Sequence, residues 1–292
     1  MKRSMSRAIA VVLTVALAAG AFAGCSKKKS KSIEDAVDEF SDGFEEYSID
    51  DLKGLDEDTE ALQDGILIKT SGEELSENGE INDALDSATS DFGISIADMI
   101  DIASIGTIKV AVQGNPDLDE PVNSSIAIIG CAVFDNGDDA VKFFDDIDSL
   151  LRMAMAVTGY DMDDFSEEEY FFDEDKGEAS VTINITMEEL ISGIYDKLAD
   201  MFGDSVTANS DKVPQADGSV VIGIRLDGDS ILFSVAVGDE YVDKADDVYD
   251  AAGLDKPSEV ENSEEVKSLI SDLLANTVMN YLFQAFSAMS DT

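Results

Sequence analysis

The carboxylates offer the most chemistry in this chain: 64 Asp and Glu among 292 residues, against 19 Lys and Arg and no His. Their densest run is Asp161-Met162-Asp163-Asp164, followed closely by Glu167-Glu168-Glu169. Oxygen ligands at alternate loop positions are what a hard cation such as calcium needs. Asp161, Asp163 and Asp164 are therefore the candidate metal ligands, and a solvated acidic turn is the plainer alternative. Two other starts fail on spacing. In Asp173-Glu174-Asp175-Lys176-Gly177 the glycine comes one place early and the twelfth position is Asn184 instead of Glu; counted from Asp56, the twelfth is Leu67.

Paired carboxylates can also perform glycosidic acid–base chemistry when set at a fixed separation in a cleft. With 64 acids any pair is expected by chance, and the absence of Trp with only 7% aromatic residues leaves a sugar-cleaving site unsupported. The lack of histidine excludes Ser-His-Asp and Cys-His catalysis and every imidazole-ligated metal. A Ser-Lys dyad is the remaining option, but the Ser-x-x-Lys sequence Ser26-Lys27-Lys28-Lys29 sits in a basic stretch near the N-terminus. Neither G-x-x-x-x-G-K-[ST] nor G-x-G-x-x-G occurs, so no phosphate-cradling loop is expected. A formal charge of -45 repels the phosphate backbone and removes nucleic acid as a partner. No catalytic residue and no cofactor is assigned, and the expected activity is non-enzymatic.

The N-terminus carries the clearest signal. Lys2, Arg3 and Arg7 form a basic region, Ile9 to Ala23 an apolar one, and Phe22-Ala23-Gly24-Cys25 follows. The apolar stretch is shorter than the roughly 18 to 20 residues of a membrane-spanning helix, which favours a processed signal. These residues resemble the lipobox of bacterial lipoproteins, with Phe22 in the place usually taken by Leu. The resemblance implies that residues 1–24 are a signal peptide and that Cys25 becomes a diacylglyceryl thioether and the new N-terminus. It also implies a lipid-anchored protein on the extracytoplasmic face of the cell membrane, with the membrane itself as partner.

Residues 25–32 then form a tether, in which Lys27, Lys28, Lys29 and Lys31 can lie on anionic head groups. All 64 acidic residues and only 12 of the basic ones follow Ser32, so the domain should be repelled from the membrane that its tether touches. With Cys25 committed to lipid, Cys131 has no disulfide partner. It lies within the apolar run Ile126 to Phe134 and reads as a small buried hydrophobe.

The elements expected to position these groups form an acidic α+β domain over residues 33–292, with a sub-boundary near 104. Ile33, Val37, Phe40, Phe44 and Tyr47 recur at helical spacing behind Ser32 as cap. Segments 58–70, 79–90 and 95–103 read as further helices, which gives a helical N-terminal region. From residue 105 the period changes. Alternation at Ile108, Val110 and Val112 marks a strand, and 125–134 is apolar on both faces, as a central strand is. A helix led by Asn136 follows and carries Met153 and Met155; with Met162 these read as core filling or as an adaptable binding lip.

Strands 170–173 and 179–185 precede a helix opened by the capping box Thr186-Met187-Glu188-Glu189. Strands 219–226 and 230–237 flank Asp227-Gly228 and precede a helix from Glu240 to Ala252. The succession suggests three β-β-α units, 105–158, 168–203 and 219–252. The sheet should be largely antiparallel with helices packed on one face. Past Pro257 a long C-terminal helix is expected, capped by Asn262, either packing on the sheet or offering a partner-binding face. Together these features predict a membrane-anchored lipoprotein acting by binding or interaction at the cell surface, with calcium binding through acidic loops and a carboxylate-based hydrolase as alternatives.

Overall fold

The computed structural model describes residues 32–49, 59–79, 101–115, 125–158, 160–162, 165–202 and 218–272. Eight strands form one sheet: β1 (Glu45–Tyr47), β2 (Ile66–Thr70), β3 (Ile105–Asn115), β4 (Ser125–Phe134), β5 (Tyr170–Asp173), β6 (Glu178–Thr186), β7 (Ser219–Asp227) and β8 (Ser230–Val237). Their order across the sheet is β1-β2-β3-β4-β8-β7-β6-β5. Among the described strands only β1 and β2 run parallel; the other neighbours are antiparallel. The α+β class read from the sequence is the one that forms. Strands β4 and β8 meet at the centre, with Ile128 opposite Val235 and Cys131 opposite Leu232. Their apolar residues point to both sides because both sides are covered.

That double covering adds a layer to the expected arrangement, which placed helices on one face. On the first face, Ile108, Val110, Ile128, Ile231 and Phe233 pack under Phe143, Phe144 and Ile147 of helix α4 (Gly137–Thr158). The short helices α2 (Thr59–Asp64) and α3 (Gly72–Glu77) extend this layer through Leu62 and Leu75. On the second face, the alternate residues Ala127, Ile129, Cys131, Leu232 and Ala236 lie under α1 (Ile33–Phe40) and α6 (Asp239–Ala252). Small side chains on β4, on β8 and at Ala36 and Ala245 let two helices settle against one narrow strip of sheet. The strand–strand–helix succession thus occurs three times along the chain, but the first copy sends its helix to one face and the third to the other.

Two expected helices end early, and the reason is glycine in both. The first stops at Phe40, and Gly43 at φ +85° turns the chain into β1. The second, expected over 58–70, stops at Asp64. Gly65 takes φ +97°, and Ile66–Thr70 becomes β2. A Cβ at Gly65 would sit 2.5 Å from the Phe44 ring, so the backbone there must be bare. Helix α3 falls outside the expected helices; Ser71 and Glu74 form a capping box at its start. Residues 80–100, which include most of the third and fourth expected helices, lie outside the described residues; of the last, Ile102–Ser104 is a single 3-10 turn.

The later elements follow their local signals. Asn136 Oδ1 accepts from Asp139 N at 3.0 Å and opens α4. Thr186 and Glu189 exchange hydrogen bonds at 3.0 and 3.1 Å and open α5 (Met187–Phe202). Gly228 at φ +64° turns β7 into β8. A C-terminal helical segment, α7 (264–272), runs beside α5. Lys267 meets Glu189 at 2.9 Å and Lys197 meets Asp272 at 2.9 Å. Between them Gly193 passes so close that a Cβ would come within 2.1 Å of Ser271 Oγ.

Candidate functional site

Of the three candidate metal ligands, Asp163 and Asp164 lie outside the described residues, and Asp161 is exposed on the turn before Met162. Among the described residues no group of three or more Asp, Glu, Cys or His is arranged to hold a metal ion. The turn at Asp173 spends its carboxylate internally. Asp173 Oδ1 accepts from Lys176 N at 3.1 Å, and Oδ2 binds the Lys176 ammonium. Met155 and Met162 are buried against Leu269 with Tyr160, Phe165 and Tyr170, as core filling. Cys25 also lies outside the described residues. Cys131 is free and buried, and burial pushes its thiol up to about 12, so it holds its proton.

Glu167 and Glu168 are exposed, but the third acid of that run, Glu169, is 2% exposed. It accepts from Ser166 N and Oγ at 2.8 and 2.9 Å, from Ser263 N, and from Asn262 Nδ2 at 3.4 Å. Burial alone would raise its pKa. The donors of Ser263 and Ser166 outweigh that and hold it below the ordinary carboxylate range. Glu169 is therefore the anchor for the start of α7.

Asn262 was expected to cap that helix, and Ser263 takes the position, accepting from Val266 N at 3.4 Å. The carboxamide of Asn262 is used elsewhere. Its Oδ1 accepts from Asn184 N and its Nδ2 donates to Thr182 O at 2.9 Å. It thus bonds to the free edge of β6 as a strand residue would, just where the four-residue β5 stops covering it.

The chain between α6 and α7, residues 253–263, crosses the second face of the sheet as a strap. Gly253 at φ +73° ends α6. Pro257 then fills the space above Gly223, where a Cβ would lie 2.6 Å from the proline ring. Asn184 Nδ2 donates to Ser258 O and Val260 O at 2.9 and 3.0 Å.

Beneath the strap lies Arg225 of β7, 2% exposed. Its Nε donates to Asp255 O at 3.3 Å, its Nη1 to Val181 O and Ile224 O at 3.0 and 2.7 Å, and its Nη2 to Thr182 Oγ1 at 3.0 Å. The guanidinium stacks 5.5 Å from the centre of the Tyr249 ring. Burial lowers its pKa, opposed by the neighbouring Tyr249, Asp255 and Asp246, and an arginine in these surroundings stays protonated.

One turn of α6 before Tyr249, Asp246 is 7% exposed. Its Oδ2 accepts the Ser258 hydroxyl, and its Oδ1 has no hydrogen-bond partner. Burial raises its pKa, moderated by Ser258 and Lys256 and reinforced by Glu259. Tyr249 Oη in turn accepts from Ser234 Oγ at 3.2 Å.

This buried polar cluster was not singled out in the sequence, although one signal was present: a lone arginine in the apolar strand Val220 to Leu226. A charge among core residues must find internal partners. The partners come from β6 and from the strap, which are distant in the chain.

No family model, curated protein or solved structure matches this chain. Its function is therefore argued from its own residues.

Proposed function

We propose that this chain is a lipid-anchored lipoprotein of the extracytoplasmic membrane face, whose acidic domain acts by non-catalytic binding or interaction. The observation that carries the reading is Phe22-Ala23-Gly24-Cys25 at the end of a basic-then-apolar leader. Two acyl chains on Cys25 suffice for stable anchoring where one is marginal. Residues 25–32 span at most about 29 Å when extended, and α1 begins at Ile33. The four tether lysines contribute up to about 1 kcal/mol each at an anionic surface. The acidic domain is repelled from that surface and stands off. This presents it to the medium outside, where its charge also opposes self-association.

The chemistry of the interior supports a non-catalytic reading. Asp148 is bound by Arg152 at 2.7 Å and by the Tyr170 hydroxyl. Glu169 is bound by Ser166 and Ser263, and Asp246 by Ser258. Each of these carboxylates, buried among the described residues, holds two segments together.

Labelling cells with tritiated palmitate and treating spheroplasts with protease tests this reading. The wild-type chain should carry label, Cys25→Ala should carry none, and external protease should digest the wild-type domain. Unlabelled wild-type protein, or a domain protected from external protease, would overturn it.

A further inference from the structure

The first face of the sheet is unevenly covered. Strand register sets Leu226 beside Ile231 in one row and Ile224 beside Phe233 in the next, and all four are buried. In the two rows that follow, Ile183, Ile222 and Val235 lie side by side, then Val220, Val237 and Ile126. These six are only half-buried. The path of α4 accounts for the difference. Its Phe143, Phe144 and Ile147 pack on the first rows. Farther along, Asp148 accepts the Tyr170 hydroxyl of β5, and Met155 packs with Leu269 of α7. The helix thus runs toward β5 and away from the six. A contiguous aliphatic patch of this kind marks a surface that receives something apolar.

The longer stretches outside the described residues after α1 are 80–100, 203–217 and 273–292. The first two carry five and four charged residues, whereas the last carries one, Asp291. Within it Leu274, Val278, Leu282, Phe286 and Met289 recur at helical spacing, and Asn276, Asn280 and Gln284 fall on the opposite side. An apolar stripe backed by an uncharged polar one can settle on an acidic protein without adding repulsion. Its starting point also suits the patch. Asp272 is held by Lys197 at 2.9 Å and by Tyr160 Oη at 2.6 Å, and Leu269 packs on Met155 and beside Tyr170, on the first-face side. Twenty helical residues reach about 30 Å, against roughly 14 Å across the sheet from β6 to β4.

We propose that Leu273–Thr292 folds back over the first face of its own chain and seats its apolar stripe on these two rows, completing the layer that α4 begins. The C-terminal helix is then a cover of the sheet, not a surface offered to a partner. This cover does not depend on the lipid anchor.

Photo-crosslinking in cells that express the full chain tests this, with benzoylphenylalanine introduced in place of Leu282. Irradiation should join it to a peptide within 219–237 of the same chain and leave a monomer on a denaturing gel. The same probe in place of Asn280, on the opposite side of the helix, should not give that product. A dimer as the sole product would put the segment on a second copy, and an adduct with lipid alone would put it on the membrane. Either result, or no product within 219–237, would overturn the proposal. Ile222→Cys reports from the sheet side, because Cys131 is buried. Thiol labelling at 222 in the purified full chain should speed up by about tenfold or more when Val278→Asp and Leu282→Asp are added. Equal rates in the two backgrounds, or a rise shared by Cys131, would contradict a cover confined to this patch.

Discussion

Arg225 shows what a single buried charge demands of its surroundings. Its donors satisfy three carbonyls and a hydroxyl drawn from β6, β7 and the strap. Arg225→Met keeps the volume but strands those acceptors, and urea denaturation should show a loss of about 3 to 5 kcal/mol. A loss below about 1 kcal/mol would mean that the cluster relaxes freely. Glu189 gives a milder, pH-dependent case. The Lys267 ammonium and the Thr186 N–H and hydroxyl hold its carboxylate at about 2. Its folded value lies below the unfolded one, so its contribution is complete above about 4.5 and is lost as pH falls toward 2. Glu189→Gln should therefore lower stability at neutral pH, narrow its gap from wild type on acidification, and leave the two alike near pH 2. The carboxylate is half exposed, so the neutral-pH difference should be small. Thermal melts across that range check the sign.

Elements were legible in the sequence wherever a local device made them. The capping box at Thr186, the Asn136 cap and the Asp227-Gly228 hairpin all appear where the residues place them. Strand β2 was not legible. Ile66–Thr70 is five residues long, and its apolar residues prolong the helical spacing of Ala61 and Leu62 past Gly65, where the chain turns out of the helix. The strap was not legible either, because its partners Thr182, Asn184 and Arg225 lie tens of residues away. The face on which a helix lands is likewise a tertiary property. Strands β4 and β8 announce two buried faces, but nothing local assigns α4 to one and α6 to the other. At this scale Gly193 offers a test of sign. Glycine to alanine within a helix ordinarily stabilises by about 1 kcal/mol. Here the added Cβ meets Ser271, so Gly193→Ala should lower the melting temperature and Ser271→Gly should restore it. A stabilised single variant would mean that α5 and α7 do not lie in contact.

For the whole molecule the governing quantity is charge. A formal charge of -45 destabilises a compact state through self-repulsion, and salt screens it over a Debye length of about 10 Å at 0.1 M. The melting temperature of a soluble 32–292 fragment should therefore rise with sodium chloride. Calcium chloride at matched ionic strength should raise it equally where screening of this charge is the whole effect. A saturable, calcium-specific rise would instead locate a cation site in the remaining loops, Asp163 and Asp164 among them. On the proposed reading, the same charge gives the domain and the lysine-rich segment before it opposite signs. The proposed lipid anchor would lay the lysine-rich linker on an anionic membrane and hold the acidic domain behind it away. That division of labour depends on the anchor. Mass spectrometry of the N-terminal peptide from membrane-extracted protein measures it most directly. A peptide beginning at Cys25 and carrying a diacylglyceryl thioether is the expected result. A retained leader, or a mature N-terminus with an unmodified Cys25 thiol, would contradict the account.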